Sequence, residues 1–316
     1  MASKLVSLRL VGLTYSGESI GNDITVEVEA ADRSLSIKKK VSAGQSIALK
    51  EFVGSFVTTQ RSFSVPVTLR VIETDRVFND VGSTNALLRV DLADSAAQRF
   101  AYSVEVKERS AILRANAAVF EVALEARVMP TTRYVVDKGD GWVRIILAGG
   151  RKEYLATTTR VELSATDEKR EYFTVMEGHY RGQQASVTLG EHGSSYLDAD
   201  NPQLGPARLT YHILTRTLVF QGQSYKTKDY PRRPWSKGTY DVEILDYPHR
   251  ANYPGIQYAK TWFRIGHAGD RYLHTGGASL GCVTVTDRDR WDALRAVLVR
   301  SRKGDGMSIG SLEVVS

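Results

Sequence analysis

Apolar and polar residues alternate along the first 128 residues with the two-residue period of β-strands. The apolar positions form runs that are separated by turn residues such as Gly, Ser, Asn and Asp. These runs contain Leu5, Leu8 and Leu10; Ile24, Val26 and Val28; Leu35 and Ile37; Val65, Val67, Leu69 and Val71; Val104 and Val106; and Val119, Phe120, Val122 and Leu124. Such runs are typical of antiparallel strands with one face on a core, so we predict a β-sandwich over residues 1–128.

The strand pattern continues in shorter units through residues 129–205. RVMP at 127–130 closes the first pattern, and GDG at 139–141 and AGG at 148–150 are typical of hairpin turns. We predict a small SH3-like β-barrel here, a kind of module that binds or spaces more often than it catalyses. Its larger aromatic side chains are expected in the core: Trp142, Tyr154, Tyr172 and Tyr180.

A third β-rich domain is predicted over residues 206–316. LTYHIL and TLVFQG form a predicted hairpin, and TWFRIG and RYLHTG are two further strands joined by a turn. A helix follows, because Trp291, Leu294, Val297 and Leu298 share one face at helical spacing. Thr286 or Asp287 is expected to cap it. The predicted fold class is therefore mainly β, with three domains and a late helix.

Composition adds little to this picture. The chain has 316 residues, of which 42% are hydrophobic and 25% charged, and a net charge of +6. These values are ordinary for a globular protein. Lys and Arg are scattered, without the aromatic-interleaved clusters typical of nucleic-acid binding, so no nucleic-acid partner is expected. Attraction to an anionic polymer or a membrane surface stays open.

Residues 1–19 lack the apolar stretch of about 7–15 residues and the small-residue cleavage site that are typical of a secretory signal peptide. No stretch approaches the roughly 18 apolar residues that a transmembrane helix needs. We therefore expect no transmembrane segment, and a protein that is cytoplasmic or exported by a specialised secretion machinery.

The chemistry of the chain is concentrated in RYLHTGGASLGCVTVT, residues 271–286. A strand ends at His274, a loop rich in glycine follows, and Cys282 begins the next strand. A thiol becomes a useful nucleophile beside a base, and His274 can serve as that base. The N–H groups of Gly281 and Cys282 could stabilise an oxyanion. The alternative is that this single cysteine is a packed, unreactive thiol in a binding module or adaptor.

This segment resembles the signature of the L,D-transpeptidase (YkuD-type) family. YLHTG matches its histidine strand and SLGCVTV its cysteine strand, while PWSKGTYDVEI and TWFRIG match the preceding strands. The resemblance covers about residues 206–316. It implies that Cys282 attacks a carbonyl of a meso-diaminopimelate-containing peptidoglycan stem peptide, forming a thioester, with His274 as base and no cofactor. It also implies that Ser279 and the backbone of Thr275, Gly276 or Gly277 orient the imidazole or the substrate.

Two positions depart from the family signature. Leu280 stands where many members have His, and Thr284 where many have an Arg that shapes the acyl-donor site. The short gap between His274 and Cys282 resembles a compact branch that includes toxins secreted against neighbouring bacteria. Trimming of stems by a carboxypeptidase reaction therefore stays open beside crosslinking. His267, farther from the cysteine and in a turn, is the alternative base.

VIETDRVFNDVGS, residues 71–83, resembles the third loop of C2-like domains, which holds calcium. The resemblance implies Glu73, Asp75 and Asp80 as ligands, with Asp23 from an earlier loop. Calcium takes six to eight oxygen ligands, so a polar turn without metal is the alternative. The remaining histidines show no ligand spacing, and no zinc site is expected. These are His179, His192, His212 and His249.

Overall fold

The computed structural model describes residues 3–75, 79–108 and 117–316. The protein is mainly β, with several sheets, one of them a nearly closed barrel, and one short helix late in the chain. This confirms the predicted fold class. The chain divides into two compact units. The first unit is Met1–Thr131 with Ser164–Glu168, and the second unit is Thr132–Leu163 with Lys169–Ser316.

The first unit contains two antiparallel sheets of four strands each. The strands are β1 (Lys4–Gly17), β2 (Asp23–Ala30), β3 (Arg33–Lys40), β4 (Ser46–Thr58), β5 (Phe63–Thr74), β6 (Asn79–Val90), β7 (Gln98–Lys107) and β8 (Ala117–Pro130). Their orders are β4-β1-β8-β7 and β3-β2-β5-β6. The predicted alternation is present in β5, where Val65, Val67, Leu69 and Val71 are buried. One hydrophobic core takes residues from both sheets, as the pattern predicts for a sandwich.

The second unit contains two sheets. A seven-stranded sheet has the order β11-β10-β14-β13-β12-β9-β15. Its strands are β9 (Thr132–Val135), β10 (Trp142–Leu147), β11 (Lys152–Ala156), β12 (Arg160–Thr166), β13 (Arg170–Val175), β14 (Gln184–Thr188) and β15 (Leu197–Asp198). Residue 128 lies within β8, and residue 205 lies between β15 and the strand that follows it, so both predicted boundaries stay predictions. The segments 129–205 and 206–316 lie almost wholly in one compact unit. Their separation into two domains stays a prediction.

The eight-stranded sheet of the second unit carries the predicted catalytic residues. Its order is β19-β23-β16-β17-β18-β22-β21-β20. The strands are β16 (Ala207–His212), β17 (Thr217–Phe220), β18 (Gln223–Lys228), β19 (Gly238–Glu243), β20 (Phe263–Arg264), β21 (Tyr272–Thr275), β22 (Val283–Val285) and β23 (Ser308–Val315). The predicted hairpin is present as the antiparallel pair β16 and β17. Strands β21 and β22 are parallel neighbours, joined by residues 276–282.

The predicted helix is present as α1 (Trp291–Leu298). Trp291, Leu294 and Leu298 are buried, which confirms the face that packs on the core. The predicted caps are wrong, because a short 3₁₀ turn (Arg288–Arg290) precedes α1. Asp287 instead accepts a hydrogen bond from the Lys226 backbone N–H, and so holds the end of β18. Within the described residues, no helix is long and apolar enough to span a membrane.

Candidate active site

The register of β21 and β22 sets the geometry of the site. His274 lies opposite Thr284, and Leu273 lies opposite Val283. Cys282 lies in a bend directly before β22 and two residues before Thr284, the residue opposite His274. The predicted pair therefore comes from adjacent parallel strands.

The His274 ring is almost completely buried, with 4% of the residue exposed. It stacks on Trp262, with ring centroids 4.0 Å apart and an interplanar angle of 14°. Nδ1 lies 2.7 Å from the Thr275 carbonyl oxygen, so it must carry the proton and donate. Nε2 then accepts from the Thr284 hydroxyl at 3.1 Å. Burial lowers the pKa of His274 to about 4, and the imidazole is neutral at pH 7.

Cys282 is also largely buried, with 9% of the residue exposed. Its Sγ lies 3.8 Å from the Asp270 carbonyl oxygen. Burial raises the pKa of the thiol, against a smaller opposing effect of the Tyr272 backbone. Sγ and the His274 ring nitrogens all have other partners, and no hydrogen bond joins the two side chains in the described structure. The structure thus holds a neutral thiol and a neutral imidazole, each with other hydrogen-bond partners.

Ser279 organises the loop rather than the imidazole. Its hydroxyl donates to the Cys282 carbonyl oxygen at 2.8 Å and accepts from the Gly281 N–H at 3.3 Å. Gly281 has a φ of +119°, in the region that favours glycine, and an added Cβ would lie 3.1 Å from Arg233 Cδ. The turn before the cysteine therefore needs glycine. The N–H of Gly281, a predicted oxyanion donor, points to Ser279 in this conformation.

The predicted substrate-binding residues follow His274 directly. Thr275 is fully buried, and its hydroxyl donates to the Val285 carbonyl oxygen. The Gly276 N–H donates to the same oxygen at 3.1 Å. The Gly277 carbonyl oxygen accepts from Lys228 Nζ at 3.1 Å. Thr275 and Gly276 hence connect β21 to β22 by hydrogen bonds. Gly277 contacts a charged side chain instead.

Sequence reasoning missed the part that Thr284 and Trp262 take in holding His274. Thr284 was visible only as a departure from the family signature, and its position two residues after Cys282 was the available signal. Trp262 is a member of a longer stack, in which His249 lies 4.5 Å from Trp262 and 4.5 Å from Tyr247 by ring centroids. Asp246 Oδ1 lies 3.3 Å from His249 Nε2. His249, one of the histidines without ligand spacing, is therefore part of a half-buried ring stack that continues from His274 through Trp262 to Tyr247.

The Thr284 hydroxyl is expected to stabilise the second unit. Thr284→Val keeps the shape of the side chain but leaves His274 Nε2 buried without a partner, which costs about 1–3 kcal/mol of unfolding free energy. Thr284→Ser retains the hydroxyl and serves as the matched control. Denaturant unfolding followed by tryptophan emission measures the effect, because all four tryptophans lie in the second unit. Equal stability of Thr284→Val and wild type would contradict this role.

The alternative base, His267, has a different environment. Its Nδ1 lies 2.9 Å from Glu243 Oε1 and its Nε2 lies 3.0 Å from Asp241 Oδ2. The hydrogen bonds that His267 donates to Asp241 and to Glu243 raise its pKa above the usual value. Half of the side chain is exposed. Both ring nitrogens of His267 contact carboxylates, whereas Nε2 of His274 accepts a hydrogen bond from a hydroxyl. The choice of His274 over His267 as the base stays a prediction.

The predicted calcium ligands Glu73, Asp75 and Asp80 lie together at the end of β5 and the start of β6. One carboxylate oxygen from each lies within 4.8 Å of the other two. Glu73 is 2% exposed, and its Oε2 is buried without a hydrogen-bond partner in the described residues. Burial, and then the charges of Asp75, Asp80 and Asp23, raise the pKa of Glu73 to about 7. Residues 76–78 of this loop lie outside the described residues.

No family model matches the chain, and no curated protein matches it. Among solved structures, the C2A domain of plant extended synaptotagmin 1 matches 41% of this chain and 97% of that domain, at 12% identity and a TM-score of 0.23. Human GIVD cytosolic phospholipase A2 matches 60% of this chain and 31% of its own, at 11% identity and a TM-score of 0.25. The C2A and C2B domains of extended synaptotagmin 2 match 62% of this chain and 82% of their own, at 8% identity and a TM-score of 0.24. Scores this low assign neither a family nor an activity.

Proposed function

We propose that the chain is a cysteine-dependent acyl transferase or hydrolase that acts on peptidoglycan stem peptides, with Cys282 as nucleophile and His274 as base. Two observations support the proposal: Cys282 directly precedes β22, the parallel neighbour of the His274 strand, and the Thr275 carbonyl fixes the proton on His274 Nδ1. Nε2 is then the unprotonated nitrogen, which can take a proton from a nucleophile once it gives up the hydrogen bond from Thr284. The substrate class rests on the resemblance of residues 274–282 to the L,D-transpeptidase signature.

The reaction proceeds in two acyl transfers. His274 Nε2 exchanges its hydrogen bond from Thr284 for one from the Cys282 thiol and takes the thiol proton as Sγ bonds to the carbonyl carbon. The imidazolium returns this proton to the departing amine when the amide bond breaks, which leaves a thioester on Cys282. Water or a second amine then attacks the thioester and releases the thiol. Burial disfavours the charge of a separate thiolate, so proton transfer accompanies attack.

Leu280 and Thr284, the two departures from the family signature, affect the second step, in which water or an amine attacks the thioester. Thr284 is fully buried against His274, so no cation reaches the substrate from that position. Leu280 is 79% exposed and adds an apolar side chain beside the nucleophile. Transfer to water, which trims the stem, and transfer to an amine, which crosslinks it, are both compatible with this arrangement.

Mass spectrometry of muropeptides incubated with the purified full chain tests this proposal. The expected products are shortened or crosslinked stems in the wild-type reaction and unchanged stems with Cys282→Ala. Thermal unfolding of both proteins serves as the control for folding. The same products from Cys282→Ala, or unchanged stems with a folded wild-type protein, would refute the proposed reaction.

A second candidate function has its own observation, the unpartnered Glu73 Oε2. We infer that Glu73, Asp75, Asp80 and Asp23 bind a calcium ion, which would neutralise carboxylates that repel one another. Calorimetric titration of the full chain with Ca²⁺ is expected to show one site with an affinity between about 10⁻⁷ and 10⁻³ M, lost in Glu73→Gln. If no heat of binding is measured at millimolar Ca²⁺, the calcium site is refuted and these residues form a polar turn without metal.

A further inference from the structure

Two cationic side chains converge on the glycines that follow His274. Lys228 Nζ donates to the Gly277 carbonyl oxygen at 3.1 Å. A Cβ added at Gly277 would lie 2.5 Å from Arg288 Nη2, so the guanidinium occupies the space directly beside this residue. Lys228 comes from the end of β18 and Arg288 from the turn before α1, so the two approach the same point from separate elements.

An aromatic ring contacts one of these cations. The Arg288 guanidinium lies over the Tyr253 ring, 4.9 Å from its centroid, which is a cation–π contact. A Cβ added at Gly276 would lie 3.0 Å from the Tyr253 hydroxyl and 3.6 Å from His274 Cε1. A side chain at Gly276 would therefore meet Tyr253, and one at Gly277 would meet Arg288, so glycine at both positions lets these groups pack directly on the backbone that follows His274.

Lys228 and Arg288 carry positive charges without an ion-pair partner among residues 3–75, 79–108 and 117–316, and both are exposed. The nearby carboxylate of Asp270 pairs with Arg233 at 2.6 Å. Asp287 accepts from the Lys226 N–H and lies 3.7 Å from Arg290. His274 is neutral, so it adds no charge of its own. The site is thus suited to an anion.

We propose that Lys228 and Arg288 form an anion-binding subsite over Gly276 and Gly277 that takes a carboxylate of the peptide substrate. The planar guanidinium matches a carboxylate with two parallel hydrogen bonds, and the ammonium adds a point charge. The inference rests on the proposed function, because the bound peptide is the one that acylates Cys282. Lys228 and Arg288 select the substrate and take no part in proton transfer.

Binding measured without turnover tests the subsite. The probe is the free-acid tetrapeptide stem, L-Ala–γ-D-Glu–meso-diaminopimelate–D-Ala, titrated by calorimetry into Cys282→Ala. Adding Arg288→Gln or Lys228→Gln is expected to weaken binding about 10- to 100-fold, the usual effect of losing a charge-assisted hydrogen bond. Arg288→Lys should retain part of the affinity. Arg144→Gln removes the same charge from an exposed position on β10, and is expected to leave affinity unchanged.

Two modified peptides identify the carboxylate. One carries an amide at its C-terminal carboxyl, the other at the diaminopimelate side-chain carboxyl, and the one that loses affinity marks the group that the subsite holds. Equal affinity of the free acid for all variants, or no binding to Cys282→Ala, overturns the subsite. Charge-dependent binding together with unchanged muropeptides would refute the proposed reaction and leave the subsite standing.

Discussion

Turnover of stem peptides is expected to fall about 10²- to 10⁴-fold in His274→Gln and to stay at the wild-type level in His267→Gln. Glutamine keeps a planar polar group against Trp262 and can still accept from Thr284, but it cannot take the thiol proton. His267 is a matched control, because it is the same residue type in the same unit and its side chain is half exposed. Steady-state kinetics on purified stem peptides measures both.

The pH profile separates a base from a structural residue. With wild type, kcat/KM should rise with pH through the low pKa of His274, which is about 4, and this limb should be absent from the residual activity of His274→Gln. Loss of activity in His267→Gln together with full activity in His274→Gln would make His267 the base and would contradict the assignment of His274. Thermal unfolding of each variant establishes that the protein is folded.

Glu73→Gln is expected to stabilise the first unit at neutral pH when calcium is absent. The pKa of Glu73 is about 7 in the folded protein against a usual value of 4.5. Between these values the folded state keeps a proton that the unfolded state has released. Stability therefore falls as pH rises from about 4.5 to about 7, by at most about 3 kcal/mol before solvent screening reduces it.

Calorimetric unfolding in EDTA at pH 4.5 and pH 8 measures this effect. Glu73→Gln should have a higher unfolding stability than wild type at pH 8 and the same stability at pH 4.5. Glu29→Gln, which removes an exposed carboxyl from β2, is the charge-matched control. Its unfolding stability should equal that of wild type at both pH values. Tryptophan emission serves as a further control, because it reports the second unit alone. A wild-type stability that rises between pH 4.5 and pH 8 with no gain in Glu73→Gln would contradict this account.

Local patterns explain which parts of the fold the sequence predicted. Alternation along β5 and the short turn between β16 and β17 depend on neighbouring residues, so both were predictable. The aromatic residues of the seven-stranded sheet were harder. Trp142 and Tyr180 are buried as expected, whereas Tyr154 is 42% exposed and Tyr172 is 37% exposed, because each lies on the outward phase of its strand.

The candidate site shows where local reasoning ends. The sequence motif identified Cys282 and His274, but their partners depend on which strands become neighbours. Thr284 contacts His274 only because β21 and β22 pair in parallel with an offset of ten residues. Arg288 and Lys228 meet at Gly277 from elements 60 residues apart in the sequence, a juxtaposition that no spacing rule encodes.

The most direct test of the central claim is the mass of the protein during turnover. The full chain is mixed with a tetrapeptide stem in the absence of an amine acceptor, quenched in acid and measured as intact protein. We expect one added acyl group, mapped to Cys282 by peptide sequencing, and none in Cys282→Ala. Turnover without an adduct on Cys282, or an adduct on another residue that persists in Cys282→Ala, would contradict the assignment of Cys282 as the nucleophile.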